Sequence, residues 1–472
     1  MSTNLRFRLV FLGSSLLICV SLAAASDTPN QNFEKQFQLA VTQYNTGHFA
    51  EAAVQLEGLL PKLPQSFEVH ELLGLVYTAQ SQDAKATEHL EIAVRLKPDS
   101  AEARTNLAAN LARTGKLVPA GEQFRKALEL EPKDYDANHN LGEFYAQSGK
   151  IADATPYLEE AQRINPSSYG NGYDLATAYL LTGKLDPASQ LVESLLQQKN
   201  TAELHNLLGQ IEEKQGKFVA SVNDFETAAH MDPSEDNLFQ WGSELLLHRT
   251  YEPAIDVFQR GAQLYPASPR LKIGLGMAFY SRGKYDDAVK ALLAAADLDP
   301  SDPRCYYFLS RAYDSSPNQA EEVIQRFRRF SELHPDSGRA SYYYAMSLWK
   351  GKRAEDPSLN LQQVKSLLQK SISLDPKLVE AHVQLGNLYS DQRDYTQSIA
   401  EYVHALDLDA NLPDAHYRLG QDYVHTGQKD RAQQEFDVYQ RLRAQHMAEI
   451  DKEKAEVQQF VYSEKAAPAT KP

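Results

Sequence analysis

One phrase of the sequence returns every 34 residues and constrains the fold more than any other feature. A typical copy has a Leu, a small residue, an aromatic residue and a Gly, then an Ala, a large apolar residue, a second Ala and a Pro. Recognisable copies start at Leu73, Leu107, Leu141, Leu275, Leu385 and Leu419. A fixed period of this length indicates a chain built from stacked supersecondary units.

The spacing within one copy predicts two helices. The Leu, the small residue and the aromatic residue lie on the first helix, and the following Gly can adopt the left-handed conformation that ends it. The Ala lies on the second helix, where we expect Ala288 to face the small residue Gly276. The Pro stops the second helix, and Ser268-Pro269 is a typical start of the next.

This phrase resembles the tetratricopeptide repeat. Twelve copies can be counted from Phe33 to about His446, so the resemblance covers nearly all of the chain. It implies an all-α fold, a right-handed superhelical solenoid of antiparallel helix pairs. One helix pair cannot bury its apolar face alone, whereas a stack can, so we expect one continuous solenoid over 33–446.

Some copies depart from the pattern. Gln43 replaces the aromatic residue of the first copy, and Asn200 and Ala410 stand where Pro is usual. The ninth copy lacks its Gly and its second Ala and has Pro317 and Glu322 nearby. Helix boundaries in the ninth and tenth copies are therefore the hardest to place.

The two ends of the chain lie outside the repeats. Residues 1–25 read as a secretory signal, with Arg6 and Arg8, an apolar run over 9–22 and Ala at 23–25. An uncleaved anchor and lipidation at Cys19 are the alternatives. A short segment over 26–32 precedes the repeats. The last helix is expected to run over about 430–460, with 447–463 as its continuation beyond the repeats and 464–472 as a disordered tail.

Charge and cysteine content exclude several classes. The formal net charge is −15, and a nucleic-acid interface would need clustered Lys and Arg. Two cysteines cannot form a disulfide framework, and only Cys305 remains after signal cleavage, where we expect a small buried apolar side chain. No other segment is apolar for long enough to span a membrane, so we expect no integral membrane segment in the mature chain.

Catalytic motifs are missing from the sequence. There is no His-Glu-x-x-His, no Gly-rich phosphate loop and no Gly-x-Ser-x-Gly. Four histidines occupy the same place in four repeats, namely His70, His205, His382 and His416. They recur 34 residues or more apart, so packing between helices is a better interpretation than a metal site. We therefore expect a non-enzymatic protein without a cofactor.

The resemblance implies that the first helix of each pair lines the concave face of the solenoid. In the second to fourth repeats the inward positions hold side chains that are small or not typical of binding anchors, such as Glu71, Thr105 and Glu143. In the eighth to tenth repeats they have the residue types of interaction cores. The inward residues of these three repeats that we assign to partner binding are Met277, Tyr280, Tyr307, Arg311, Tyr342, Met346 and Trp349, with Arg304 and Arg339 at the starts of two helices.

Positive charge is concentrated in the same part of the chain. Residues 304–353 contain nine Lys or Arg and five Asp or Glu, and an insertion over 351–361 lies beside them. The alternative is that Tyr342 and Trp349 pack against this insertion. Asn106 and Asn140 recur before the Leu of two repeats and form a secondary candidate, because in peptide-binding relatives an Asn there bonds the ligand backbone; a local hydrogen bond to the neighbouring helix is the alternative.

These features predict a scaffold in a bacterial envelope, in the periplasm, that holds a protein or peptide segment in its concave groove. The excess of Lys and Arg in 304–353 makes an acidic segment one candidate. The alternative function is a polysaccharide-associated factor of exopolysaccharide export or assembly, which would take an anionic polysaccharide. A third class, an enzyme that uses residues of the groove, has no motif in its favour.

Overall fold

The computed structural model describes residues 29–315, 319–351 and 361–445. The described residues divide into two compact units, one that ends at Pro233 and one that begins at Ser234. The helices of the first unit are α1 (Pro29–Asn45), α2 (Phe49–Leu59), α3 (Phe67–Ala79), α4 (Asp83–Leu96), α5 (Ala101–Arg113), α6 (Leu117–Leu130), α7 (Tyr135–Gln147), α8 (Ile151–Ile164), α9 (Tyr169–Thr182), α10 (Leu185–Gln198), α11 (Ala202–Lys214) and α12 (Phe218–Met231).

The second unit repeats this arrangement. Its helices are α13 (Glu235–Leu247), α14 (Tyr251–Leu264), α15 (Pro269–Ser281), α16 (Tyr285–Leu298), α17 (Pro303–Ser315), α18 (Ala320–Leu333), α19 (Gly338–Gly351), α20 (Leu361–Leu374), α21 (Val379–Asp391), α22 (Tyr395–Leu408), α23 (Pro413–His425) and α24 (429–445). The described residues contain no strand. The predicted all-α fold of paired helices in tandem is confirmed, and each unit is such a stack.

Local signals set the helix ends as the sequence predicts. The Ser100 and Ser268 hydroxyls accept hydrogen bonds from the backbone N–H groups of Ala103 and Leu271 and so cap α5 and α15. Four of the predicted helix-ending glycines have positive φ values of 75–83°, namely Gly115, Gly149, Gly283 and Gly427. L-residues rarely adopt this conformation, so the glycines fix where the first helix of a pair stops.

The core of each unit lies between paired helices. Ala288 on α16 is fully buried, as expected. Its predicted approach to Gly276 on α15 stays a prediction, and the atoms nearest to a Cβ at Gly276 belong to Leu292. The small residue of the first helix therefore makes room for the large apolar residue of the second. Cys305 is fully buried, as predicted, and its thiol donates to the carbonyl of Leu292 at 3.0 Å.

The recurrent histidines are packed among helices, as predicted, but their side-chain partners lie on the second helix of the same pair and not on the next pair. His382 and His416 are 4% and 8% exposed. Their Nδ1 atoms lie 2.7 and 2.6 Å from carboxylates 19 residues later, on Glu401 and Glu435. The corresponding pair in the first unit is His205 with Asp224 at 2.6 Å. These carboxylate partners were not foreseen in the sequence, although the fixed separation of 19 residues is visible there.

Several predictions about boundaries meet the structure only in part. Helix α1 begins at Pro29, so the last four residues of the 26–32 segment are helical. The ninth repeat has Gln319 in the left-handed conformation directly before α18, one residue later than the place that Gly283 has before α16. The signal over 1–25, the continuation over 447–463 and the tail over 464–472 lie outside the described residues. In the described part of the chain no helix is long and apolar enough to cross a membrane.

Candidate functional site

The predicted inward residues lie on helices that stand side by side. In the first unit α3, α5, α7, α9 and α11 contact one another in sequence, and in the second unit α13, α15, α17 and α19 do so. We call the side chains of Met277, Tyr280, Tyr307, Arg311, Tyr342 and Trp349 the aromatic patch. These side chains lie on α15, α17 and α19, which are adjacent first helices of the second unit, as the repeat spacing predicts.

Arg311 holds two of the aromatic side chains together. Its Nη1 donates to the Tyr307 hydroxyl at 2.7 Å, and its guanidinium carbon lies 5.6 Å from the centre of the Tyr307 ring. Arg311 also forms a hydrogen bond with Tyr280 on α15, and these bonds to Tyr280 and Tyr307 raise the pKa of its guanidinium. Tyr307 is 38% exposed and Arg311 is exposed, so a cation flanked by aromatic rings faces solvent.

Tyr342 extends the patch onto α19. The side chain is half-buried, and burial together with the nearby carboxylates of Asp314 and Glu380 raises the pKa of its hydroxyl. The hydroxyl therefore stays protonated and can donate a hydrogen bond at physiological pH. Asp314 forms an ion pair with Lys350 at the other end of α19.

Arg304 and Arg339 are present at the helix starts but already have partners. The Arg304 guanidinium pairs with Asp302 at 2.6 Å. This hydrogen bond is the main reason why the pKa of the Asp302 carboxyl is lowered. Arg339 lies 3.8 Å from a Glu380 oxygen. The two side chains remain 70% and 49% exposed, so their outer faces can still meet an anionic ligand.

Two predicted contact residues differ in their access to solvent. Met346 is only 8% exposed and belongs to the packed side of α19, so it is not part of the aromatic patch. Trp349 is half-buried near the end of the same helix. The predicted alternative, packing of Tyr342 and Trp349 against the insertion, involves residues 352–360, which lie outside the described residues.

One residue of this surface was missed in the sequence. Arg270 is the second residue of α15, as Arg304 and Arg339 are the second residues of α17 and α19. Its guanidinium carbon lies 5.0 Å from the centre of the Phe239 ring and its Nε lies 2.6 Å from a Glu235 oxygen. The spacing of 34 and 35 residues between the three arginines was the available signal.

The secondary candidate in the first unit lies beside a buried carboxyl. The Asn106 amide acts on Glu71 of the neighbouring first helix and lowers the pKa of its carboxyl. This interaction favours the predicted alternative, a local bond between helices, and the predicted contact of Asn106 with a ligand stays a prediction. Asn140 is half-buried on α7, and its predicted contact with a ligand stays a prediction.

The first unit also carries buried carboxylates, at positions that the sequence analysis did not single out for binding. Glu71 is 5% exposed and Glu143 is 2% exposed. Burial raises the pKa of each to about 8, with added repulsion from Glu102 and Asp174 respectively. Burial and Glu203 raise the pKa of Asp174 to about 7. Nowhere in the described residues do three or more His, Cys, Asp or Glu side chains form a group that could hold a metal ion.

Comparison with known families agrees with the repeat. Three matching family models are described as "Tetratricopeptide repeat" and one as "TPR repeat". They match residues 37–101, 124–155, 145–211, 276–313 and 386–427. The matched residues include the helices that carry Glu71, Glu143, Tyr307 and Arg311.

Curated relatives cover parts of the chain. It is 28% identical over 240 residues to TPR repeat-containing protein YpiA of Bacillus subtilis, a match that includes 49% of this chain and 53% of YpiA. It is 32% identical over 94 residues to the peroxisomal targeting signal receptor of Eremothecium gossypii, covering 20% of this chain and 16% of the receptor. The chain thus spans about half the length of the first relative and less of the second.

Among solved structures, one similar chain is PilW, described as a widely conserved type IV pilus biogenesis factor. The identity is 24% and the TM-score is 0.40, with 44% of this chain and 97% of PilW covered.

Proposed function

Because the chain belongs to the tetratricopeptide-repeat family, we propose that it is a non-enzymatic scaffold that holds a segment of a partner protein against the aromatic patch. Proteins of this family are interaction scaffolds, and stacked repeats offer an extended binding surface. The single observation that carries the assignment to the second unit is the placement of Arg311 between Tyr280 and Tyr307 at a solvent-exposed position.

The partner segment is expected to be acidic. Helices α15, α17 and α19 contain six Lys or Arg residues and one acidic residue, Asp314. A carboxylate of the partner could bond the exposed guanidinium of Arg311, while an apolar or aromatic side chain could pack on the rings of Tyr280 and Tyr307. Anchors that combine Tyr, Trp and Arg are the residue types that dominate binding energy in protein interfaces.

The same chemistry supports one second candidate, an anionic polysaccharide. Tyr rings can stack on sugar faces, and the exposed guanidinium of Arg311 can pair with a uronate carboxylate. A protein segment is preferred because a flexible chain can also reach the arginines at the starts of α15, α17 and α19, namely Arg270, Arg304 and Arg339.

We place the function outside the cytoplasm, in the bacterial envelope, on the strength of the secretory pattern in 1–25. The expected mature N-terminus is Ser26 or a residue within a few positions of it. Edman sequencing of the protein from an osmotic-shock fraction tests this assignment. Recovery of Met1 from a membrane pellet would contradict it.

A titration of the purified chain tests the binding surface. The probes are a fluorescein-labelled dodecapeptide of alternating Glu and Ala, its Lys-Ala counterpart and an oligogalacturonate of similar charge. We expect Arg311→Ala to weaken binding of the Glu peptide by about tenfold, the usual size for a lost charge-assisted hydrogen bond. The matched control is Arg329→Ala, which removes the same charge from an exposed place on α18 of the same repeat.

The outcomes of this titration are distinct. Equal losses for Arg311→Ala and Arg329→Ala would mean that overall charge, and not the patch, attracts the ligand. Binding of the oligogalacturonate in preference to the Glu peptide would favour the polysaccharide candidate. Failure of both anionic probes at low salt would remove the aromatic patch from consideration.

A further inference from the structure

Three first helices of the first unit have the opposite charge from α15, α17 and α19. Helices α3, α7 and α9 contain no Lys or Arg and carry five acidic residues, Glu68, Glu71, Asp136, Glu143 and Asp174. The neighbouring α5 adds Glu102 but also Arg104 and Arg113, which bond to Gln123 and Asp83 on second helices, and α11 adds Glu203, Glu212 and Glu213 with Lys214. The cation that acts on both Glu71 and Glu102 is Lys97, in the loop before α5.

These carboxylates face one another across adjacent helices. Glu71 on α3 is repelled by Glu102 on α5, and Glu102 in turn by Asp136 on α7. Glu143 on α7 is repelled by Asp174 on α9, and Asp174 by Glu203 on α11. These repulsions form two runs, one from α3 to α7 that ends at Asp136 and one from α7 to α11 that begins at Glu143. Asp136 and Glu143 are seven residues apart and therefore lie on the same side of α7, which places both runs on one face of the first unit.

A second, independent observation points to a ligand that donates hydrogen bonds. The Oε1 atom of Glu71 is buried and has no hydrogen-bond partner within the described residues. The hydroxyls of Thr105 on α5 and Thr177 on α9 are likewise buried without a partner. These three residues are 5%, 5% and 0% exposed. Buried polar atoms are normally paired, so three such oxygens on the face that carries the carboxylates indicate an absent donor.

We propose that this acidic face of the first unit binds a Lys- or Arg-bearing extended segment of a second partner protein. The basis is charge complementarity: a guanidinium or ammonium group brings both the missing positive charge and the missing donors. The site lies on helices other than those of the aromatic patch and takes a ligand of opposite charge, so it does not depend on the function proposed for that patch.

Helix spacing suggests the pattern of the segment. Packed helices lie about 8–10 Å apart, and a polyproline II segment advances about 9 Å in three residues. A basic side chain at every third residue would therefore meet one first helix after another. Glu71, Glu143 and Asp174 are the carboxylates that we expect to bond these side chains, with Thr105 and Thr177 as additional acceptors.

Binding should also release protons. Glu71 and Glu143, each with a pKa of about 8, are largely protonated at pH 7 in the free protein, and a bound cation would favour their charged forms. Glu102, Glu68 and Lys97 are the charged groups that act on Glu71. Glu143 is affected by Asp174, and Asp174 is affected by Glu203. The affinity for a cationic segment should therefore increase from pH 6 to pH 9.

The test uses the full chain and a labelled dodecapeptide of repeated Arg-Pro-Pro, with repeated Glu-Pro-Pro as the opposite-charge probe. Fluorescence anisotropy gives the affinity, and calorimetry in two buffers of different ionisation enthalpy gives the protons released. We expect the triple variant Glu71→Gln, Glu143→Gln, Asp174→Asn to weaken Arg-Pro-Pro binding by about tenfold or more and to abolish proton release. These amides preserve side-chain shape and remove buried charge, so the variant should remain folded by circular dichroism.

The matched control is Glu91→Gln, Glu122→Gln, Glu129→Gln, which makes the same change in formal charge at exposed positions on α4 and α6. It should change Arg-Pro-Pro affinity by less than about twofold, since exposed charges are screened by salt. Equal losses in the two triple variants, a loss of Glu-Pro-Pro binding as large as the loss of Arg-Pro-Pro binding in the Glu71, Glu143 and Asp174 variant, or no Arg-Pro-Pro binding at low salt would each overturn the proposal. Arg311→Ala should leave Arg-Pro-Pro binding unchanged, which separates this site from the aromatic patch.

Discussion

Replacing Gly276 by Ala is a direct probe of how the two helices of one repeat approach each other. A Cβ added at Gly276 on α15 would lie 2.5 Å from Leu292 Cγ and 2.8 Å from Leu292 Cδ2 on α16. Ordinary contacts between carbon atoms need about 3.5–4.0 Å. Leu292 is fully buried, so it cannot move away without displacing its neighbours.

The expected cost follows from two opposing effects. Overpacking by one methyl group costs about 1–3 kcal/mol. Ala is favoured over Gly in a helix interior by about 1 kcal/mol. We therefore expect the Gly276→Ala variant to lose about 1 kcal/mol of unfolding free energy in the second unit, and at most about 2 kcal/mol. The loss should spread to neighbouring repeats, since each repeat is stabilised by its interfaces.

A double-mutant cycle isolates the contact. Leu292→Ala alone should destabilise by about 2–5 kcal/mol because it leaves a cavity. In that background Gly276→Ala has room for its methyl group and should become neutral or stabilising. Urea denaturation gives the free energies, and hydrogen exchange of peptides from α15 and α16 shows where protection changes.

Gly170 provides the control, because it is helical and a Cβ added there meets no atom within 4 Å. Gly170→Ala should be neutral or slightly stabilising. If Gly276→Ala were as harmless as Gly170→Ala, or equally harmful with and without Leu292, the close contact between α15 and α16 would be wrong.

Three further predictions follow from the same structure. Ala288→Leu should cost about 1–3 kcal/mol by overpacking, and unchanged hydrogen exchange over Leu271–Pro300 would contradict it. Trp349→Ala should weaken binding of the partner by about 2 kcal/mol or more with little change in the urea midpoint, and unfolding of α19 would instead place Trp349 in the core. Glu71, whose pKa is raised from 4.5 to about 8, stabilises the fold fully below pH 4.5 and loses that contribution as pH rises to 8. Between those values stability should fall with a slope of up to about 1.4 kcal/mol per pH unit, and urea midpoints at pH 5, 7 and 9 should show a flatter dependence for Glu71→Gln.

The paired-helix fold was predictable because its determinants are local and periodic. The repeated Gly at positions such as Gly115 and Gly283 fixes the left-handed turn that ends a helix, and its conformation follows from sterics alone. Repeats that lack this Gly show the limit, because Ser81, Arg249 and Arg393 take the left-handed conformation two residues before α4, α14 and α22 without any signal in their residue type.

The sequence predicted which helices carry the residues of the aromatic patch, but it did not predict which of the assigned side chains are exposed. Helical spacing correctly places Tyr280, Tyr307 and Arg311 on neighbouring helices, and their hydrogen bonds confirm that they meet. Spacing alone cannot tell that Met346 is buried, since its exposure depends on how neighbouring helices cover the same turn of α19.

The burial and the raised pKa values of the acidic face of the first unit could not be predicted from residue types. Glu71 and Glu143 look like ordinary polar residues of an inner helix surface in the sequence. Their raised pKa values arise from burial and from carboxylates on adjacent helices, Glu102 and Asp174. Those neighbours are about 31 residues away along the chain, and only the stacking of repeats brings them close.

The most direct test of the proposed scaffold role is site-specific photo-cross-linking in intact cells. Benzoylphenylalanine would replace Tyr307 in the aromatic patch or, as the control, Arg329 on the opposite helix of the same repeat, and cross-linked peptides would be identified by mass spectrometry. The account predicts that position 307 captures an acidic segment of one protein, that the yield falls when Arg311→Ala is added, and that position 329 captures none of it. Equal capture at the two positions, or capture at 307 that Arg311→Ala does not reduce, would contradict the assignment of partner binding to the aromatic patch.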